Sequence, residues 1–210
     1  MLSFADANLL LQTQPQDNDR IRADYGPPSF DMRNRFTANF MWAPPIAKWS
    51  NLNGRGAKLL LDGWQISGII KARSGMPFSV RNGNSSYPSD RPDGLSTVNR
   101  YFTDYRTTRK YLNPASFAAV PMSTASKAQI RGGTLGRDAI VGPGSTVVDA
   151  SIAKTFRFTE RLNFQLRADA FNALNHTNYG GPVTNFSSGT FGQLTSATAR
   201  TIQIAGRLTF

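Results

Sequence analysis

The sequence predicts an all-β chain, an antiparallel segment of a transmembrane β-barrel with about five strands and long extracellular loops. Three observations carry that reading: hydropathy alternates with period two in several stretches, long Gly-, Pro- and Asn-rich connections separate them, and the chain stops on an aromatic residue in register with the apolar positions. The clearest stretch is 201–210. Ile202, Ile204, Gly206, Leu208 and Phe210 fill one register, while Thr201, Gln203, Ala205, Arg207 and Thr209 fill the other. A pleated strand sends successive side chains to opposite faces, so this is a strand with one apolar and one wet face. Residues 161–170 repeat the pattern, with Leu162, Phe164, Leu166, Ala168 and Ala170 set against Arg161, Asn163, Gln165, Arg167 and Asp169. Alternation alone fits a soluble sandwich as well as a barrel with lipid outside and water inside. The two differ in what touches the Phe164 and Ile204 side: a second protein layer in a sandwich, lipid in a barrel.

Taken in order, residues 1–30 read as loop or the remnant of a preceding strand, with a trace of structure at 8–12 and a Tyr25-Gly26-Pro27-Pro28 breaker. Residues 31–210 read as barrel. In 35–42 the apolar register is Phe36, Ala38, Phe40 and Trp42, and Pro44 and Pro45 end the ladder by removing donors. A connection of roughly twenty residues leads to 63–80, where Trp64, Ile66, Gly68, Ile70 and Ala72 form the apolar face and the chain bends near Ser74-Gly75-Met76-Pro77. Residues 81–146 show no sustained period and are expected to be a structureless loop. Strand 147–158 carries Val148, Ala150, Ile152, Phe156 and Phe158 in one register. Lys154 intrudes on that face, which at the bilayer midplane costs about 2–4 kcal/mol unless the side chain snorkels. A tight turn at Thr159-Glu160 joins it to 162–171, and the loop 172–199 leads to the last strand.

Connection lengths then set a topology. With the terminal strand descending to the periplasm, 81–146 and 172–199 are extracellular, and 44–62 and the Thr159-Glu160 turn are periplasmic. Trp42, Trp64, Phe158 and Phe210 fall at the periplasmic interface, where aromatic rings are favoured. Five strands cannot close a spanning barrel, for which about eight is the small end. The chain is therefore expected to be a C-terminal piece of a longer precursor.

Composition narrows the chemistry. The 210 residues hold no cysteine, which removes disulfides and thiolate metal sites. Of the net charge of +11, much lies in 81–146, where nine basic residues face four acidic ones. That charge is dispersed and has no nucleic-acid-binding signature beside it, so a basic solvated loop is the reading and nucleic acid is not an expected partner. His176 is the only histidine. It has no Cys, His or carboxylate at ligand spacing and cannot serve a nucleophile, so neither metal, cofactor nor enzymatic activity is expected. Residues 131–137, RGGTLGR, lack the Gly-Lys-Ser/Thr ending of a phosphate loop. Arg157, Arg167 and Asp169 fall on the polar register as lumen-facing candidates for touching a plug or ligand, or for pairing with one another.

The segments FDMRNRFTANFMWAPP, DGWQISGIIKARSGMPFSV, GPGSTVVDASIAKTFRFTERLNFQLRADAFNALNHTNYG and IQIAGRLTF resemble, in order and near the family spacing, the C-terminal barrel of Oar-like TonB-dependent receptors. The resemblance covers nearly all of 30–210. It implies a barrel of about 22 strands in the bacterial outer membrane, of which these are the last five, with an N-terminal plug and energy delivered through TonB by a region absent from this sequence. It also implies that Ile202, Ile204, Gly206, Leu208 and Phe210 form the signal read by the barrel-assembly machinery. The implied partners are outer-membrane lipid, the rest of the barrel and the plug. Two alternatives stay open: a soluble β-sandwich binding glycans through residues 101–111, and a small passive porin, which needs further strands that the sequence does not display.

Overall fold

In a computed structural model of the chain the described residues are 15–50, 54–83, 90–126 and 129–210. The trace of structure expected at 8–12 lies outside them. The chain divides into two compact units.

One unit comprises Arg35–Arg73, Ser145–Asn178 and Thr198–Phe210. It is a sheet of five strands: β1 Arg35–Trp42, β2 Trp64–Arg73, β7 Ser145–Arg157, β8 Asn163–Phe171 and β9 Thr201–Thr209. Every neighbouring pair is antiparallel, in the order β1-β2-β7-β8-β9. The register decides the chemistry of the faces. Phe40 stands opposite Gly68, Gly68 opposite Ala150, Ala150 opposite Ala170 and Ala170 opposite Ile202. The next row runs Trp42, Ile66, Ile152, Ala168, Ile204 in the same way. A slip of one residue in any pair would send a whole strand's apolar set to the wrong side, and no pair slips. The apolar register is nevertheless bare: Phe36 is 58%, Ile202 61% and Ile204 75% exposed. Among the described residues of this unit no second layer covers it, which disfavours the sandwich alternative. In this order β1 and β9 are the outermost strands, each paired on one side only.

The strands are joined at their two ends differently. At one end β1 and β2 are linked through two short helices, α1 Ile46–Ser50 and α2 Arg55–Leu61, and β7 turns tightly into β8. The turn is closed by the Phe158 amide donating to the Leu162 carbonyl and by the Leu162 amide donating to Thr159 Oγ1. The connection 44–62 is thus helical over two short spans. The long connections leave from the other end of the ladder, the row Arg35, Arg73 and Ser145.

The second unit comprises the described parts of Met1–Asn34 with Ser74–Gly144 and Tyr179–Ala197. Here the expectation of structureless loops is corrected. Short strands pair far across the sequence, β3 Pro77–Phe78 with β6 Ile140–Val141 and β4 Asp93–Gly94 with β5 Phe117–Ala118. A one-turn helix, α3 Tyr105–Thr108, and 3-10 turns at Asn18–Asp24 and Pro114–Ser116 complete it. Val80, Leu112, Phe117, Leu135, Ile140, Phe191 and Leu194 form its buried core. Phe117, Phe186 and Phe191 meet in near-perpendicular or tilted ring contacts 5.2 to 6.2 Å apart, the geometry the ring quadrupole favours. No hydropathy period announces this core, because each segment contributes one or two residues to it.

Candidate functional site

The apolar wall is built from the apolar register of β1, β2, β7, β8 and β9. Glycines on this face are covered by aromatic rings. A Cβ at Gly68 would meet the Phe40 ring at 2.7 Å and one at Gly206 would meet the Phe164 ring at 3.3 Å. The aromatic ring thus fills the space that glycine leaves on the pleat, as happens at sheet glycines.

Lys154 is the exception in the sequence, and the structure accounts for it. Its side chain is 4% exposed, although it belongs to the apolar register. The ammonium donates to the Leu60 carbonyl at 2.9 Å and to the Asp62 carbonyl, both at the C-terminal end of α2. It also sits 5.2 Å from the centroids of the Trp64 and Phe156 rings. Last-turn carbonyls lack helical donors and carry partial negative charge, so a cation there satisfies them, and the two rings add a cation–π contribution. The residue does not snorkel to water; the helix comes to it. Gly63 permits this fold-back. Its φ is +79°, and a Cβ there would lie 2.4 Å from the Thr155 carbonyl oxygen.

Aromatic residues collect at the same end. Trp42 and Trp49 have centroids 6.1 Å apart, and Phe156 stacks with Phe158 and Phe164 at 6.4 and 6.2 Å. Trp64 donates its indole N–H to the Leu60 carbonyl. The expected girdle of Trp42, Trp64, Phe158 and Phe210 is therefore placed at one end of the sheet, and Trp49 joins it.

On the polar register the three predicted residues separate. Arg167 and Asp169 pair with each other along β8, Nε to Oδ1 at 2.8 Å, and Lys71 stands 3.6 Å from Asp149 across β2 and β7. These groups border an open recess of about 580 Å³ that also includes Asn39 and Ser67. Arg157 is not with them. It ends β7, opposite Asn163, beside a second recess of about 470 Å³ lined by Lys58, Asp62 and Phe158. Ile202, Ile204, Gly206 and Leu208 share one exposed face of β9, and Phe210 follows that strand.

Two residues that sequence reasoning passed over close the far end of β8. Asn172, buried and at φ +52°, donates from Nδ2 to the His176 and Thr198 carbonyls and accepts from the His176 amide. Asn178 accepts from the Thr146 amide and donates to the Thr146 carbonyl. Asparagine tolerates the left-handed region and satisfies backbone locally. The run of asparagines in NALNHTN was the available signal. His176 is half-buried in this corner, with Nδ1 3.3 Å from Asn178 Oδ1. Among the described residues no group of three His, Cys, Asp or Glu side chains could hold a metal ion.

The second unit is fixed by polar contacts. Arg91 and Asp24, both buried, pair at 2.5 Å, and Arg91 also donates to the Leu135 carbonyl. Gln16 receives the Arg91 amide and donates to Gly133, so the stretch from residue 15 onward is stitched in rather than loose. Asp93 takes a bidentate contact from Arg131 and the Thr134 amide. The Arg131 guanidinium lowers its carboxyl from 3.8 to about 2. In 101–111 the tyrosines turn inward. Tyr101 and Tyr105 flank Tyr111 at 5.3 and 5.1 Å, and the Tyr111 hydroxyl donates to the Val141 carbonyl. Burial raises the Tyr111 phenol above its ordinary range, which keeps it a donor.

Residues 3–203 match the family described as outer membrane beta barrel domain. The chain belongs to that family. The protein resides in the bacterial outer membrane. No curated protein and no solved structure gives a significant match.

Proposed function

We propose that this outer-membrane barrel domain is the C-terminal wall of an Oar-like TonB-dependent receptor, whose remaining strands and plug lie in a longer polypeptide. The observation that carries the reading is a five-stranded sheet with one face that is apolar apart from Lys154 and, among the described residues, both outermost strands open on one side. An exposed backbone edge in hydrocarbon costs several kcal/mol for each unsatisfied group, so such a sheet requires strands on either side. The long-connection unit then forms part of the extracellular surface that meets the ligand, and the helical end faces the periplasm. Arg167, Asp169, Lys71 and Asp149 line the lumen and meet the plug. Ile202, Ile204, Gly206, Leu208 and Phe210 present the assembly signal to the barrel-insertion machinery. The chain binds and conducts, without catalysis and without a cofactor; TonB engages the receptor through its N-terminal region.

The test is to purify the product of the intact gene from outer membranes and measure its mass and its partners. A heat-modifiable protein several times heavier than 23.0 kDa, cross-linking to TonB, is the expected result. A 23 kDa product that conducts ions across a planar bilayer unaided would instead establish the passive porin.

A further inference from the structure

The α1–α2 connection lies at the end of the wall, where α2 lines a recess with Thr155 and Arg157 of the polar register and also meets the apolar register. Lys154 reaches the Leu60 and Asp62 carbonyls from the apolar register, and Trp49 of α1 contacts Trp42 of the same register. Yet Trp49 is 63% and Leu60 64% exposed. Next to Trp49 stands an exposed lysine, Lys48, whereas Lys58, two residues before Leu60 on the helix, lines the recess with Thr155 and Arg157. Large apolar groups left bare, with a cation beside Trp49 and continuous with the apolar register, match a bilayer's headgroup layer, where rings and aliphatic groups sit below the phosphates and lysines beside them.

We infer that α1 and α2 form an interfacial anchor that seats in the phospholipid headgroup layer, with Trp49 and Leu60 at the top of the acyl region and Lys48 on the lipid phosphates. Lys154 holds this anchor against the wall from beneath. The inference rests on the membrane-facing assignment of the apolar register, and in the proposed topology the leaflet is the periplasmic one.

These 210 residues hold no cysteine, so an introduced thiol is unique among them; any cysteine elsewhere in the polypeptide is first replaced by serine. Leu60→Cys, Lys58→Cys and Ile204→Cys would be made in the full chain and probed in outer-membrane fractions with a charged, membrane-impermeant maleimide. Leu60→Cys is expected to react at least about ten-fold more slowly than Lys58→Cys, and Ile204→Cys to be shielded like Leu60→Cys. Equal rates at 58 and 60 with Ile204→Cys shielded would overturn the anchor and leave the wall intact. Free reaction at all three positions would overturn the wall and the anchor together. Should Leu60→Cys fail to reach the membrane, Trp49→Cys replaces it with the same expected and refuting outcomes. The phosphate contact is read separately from Trp49 emission in a Trp42→Phe/Trp64→Phe chain in phosphatidylcholine vesicles with and without phosphatidylglycerol. A further blue shift with the anionic lipid, lost in Lys48→Gln, supports it; emission indifferent to the anionic lipid overturns it.

Discussion

A lysine on the greasy side of a strand is tolerated here because two backbone carbonyls are brought to it. Replacing Lys154 by methionine keeps the length of the side chain and its apolar stem but leaves the Leu60 and Asp62 carbonyls without that donor. The expected loss is about 1–3 kcal/mol, measured by urea unfolding in detergent micelles, with faster protease cleavage between β1 and β2. Lys154→Arg should recover part of it. Asp93 gives a residue-scale pH prediction. Its folded-state pKa is depressed from 3.8 to about 2, so its contribution is present above the unfolded value and is lost as pH falls from about 4 to 2. Pepsin cleavage near β4 should therefore accelerate over that window, and Asp93→Asn should flatten the acid dependence.

Within an element the two faces should answer mutation oppositely. Ile204→Arg puts a charge on the lipid side of β9 and is expected to cost about 2–4 kcal/mol of folding in lipid if it lies near the midplane. Gln203→Arg, one residue away on the wet register, should cost far less; folded and unfolded bands after refolding into vesicles would show the contrast. Gly63→Ala tests the hinge between α2 and β2. The left-handed φ and a Cβ 2.4 Å from the Thr155 carbonyl leave no relaxed position for a methyl group, so the folded yield should fall sharply.

At the scale of the whole molecule, the long connections fold as a unit around their own core. Leu112→Ala should cost that unit about 2–5 kcal/mol, visible as amide exchange gained across residues 90–126 while β8 and β9 keep their protection. Much of the wall was legible in sequence because alternation is local. Strands expected at 147–158, 162–171 and 201–210 are found at Ser145–Arg157, Asn163–Phe171 and Thr201–Thr209. The core of the second unit was not, since Asp24 meets Arg91 and the Leu112 amide donates to the Gly192 carbonyl across long separations. Hydropathy period reports one element at a time and carries no trace of such pairs.

The alternating residues by themselves determined that strands form and which side of each is apolar, because a pleat converts sequence parity into facing. Only the tertiary structure decided that every register matches into one continuous apolar surface, that α2 turns its carbonyls toward Lys154, and that Arg167 pairs with Asp169 while Arg157 stands apart. Those outcomes depend on which distant backbone groups meet, and parity along a single strand does not encode its neighbours.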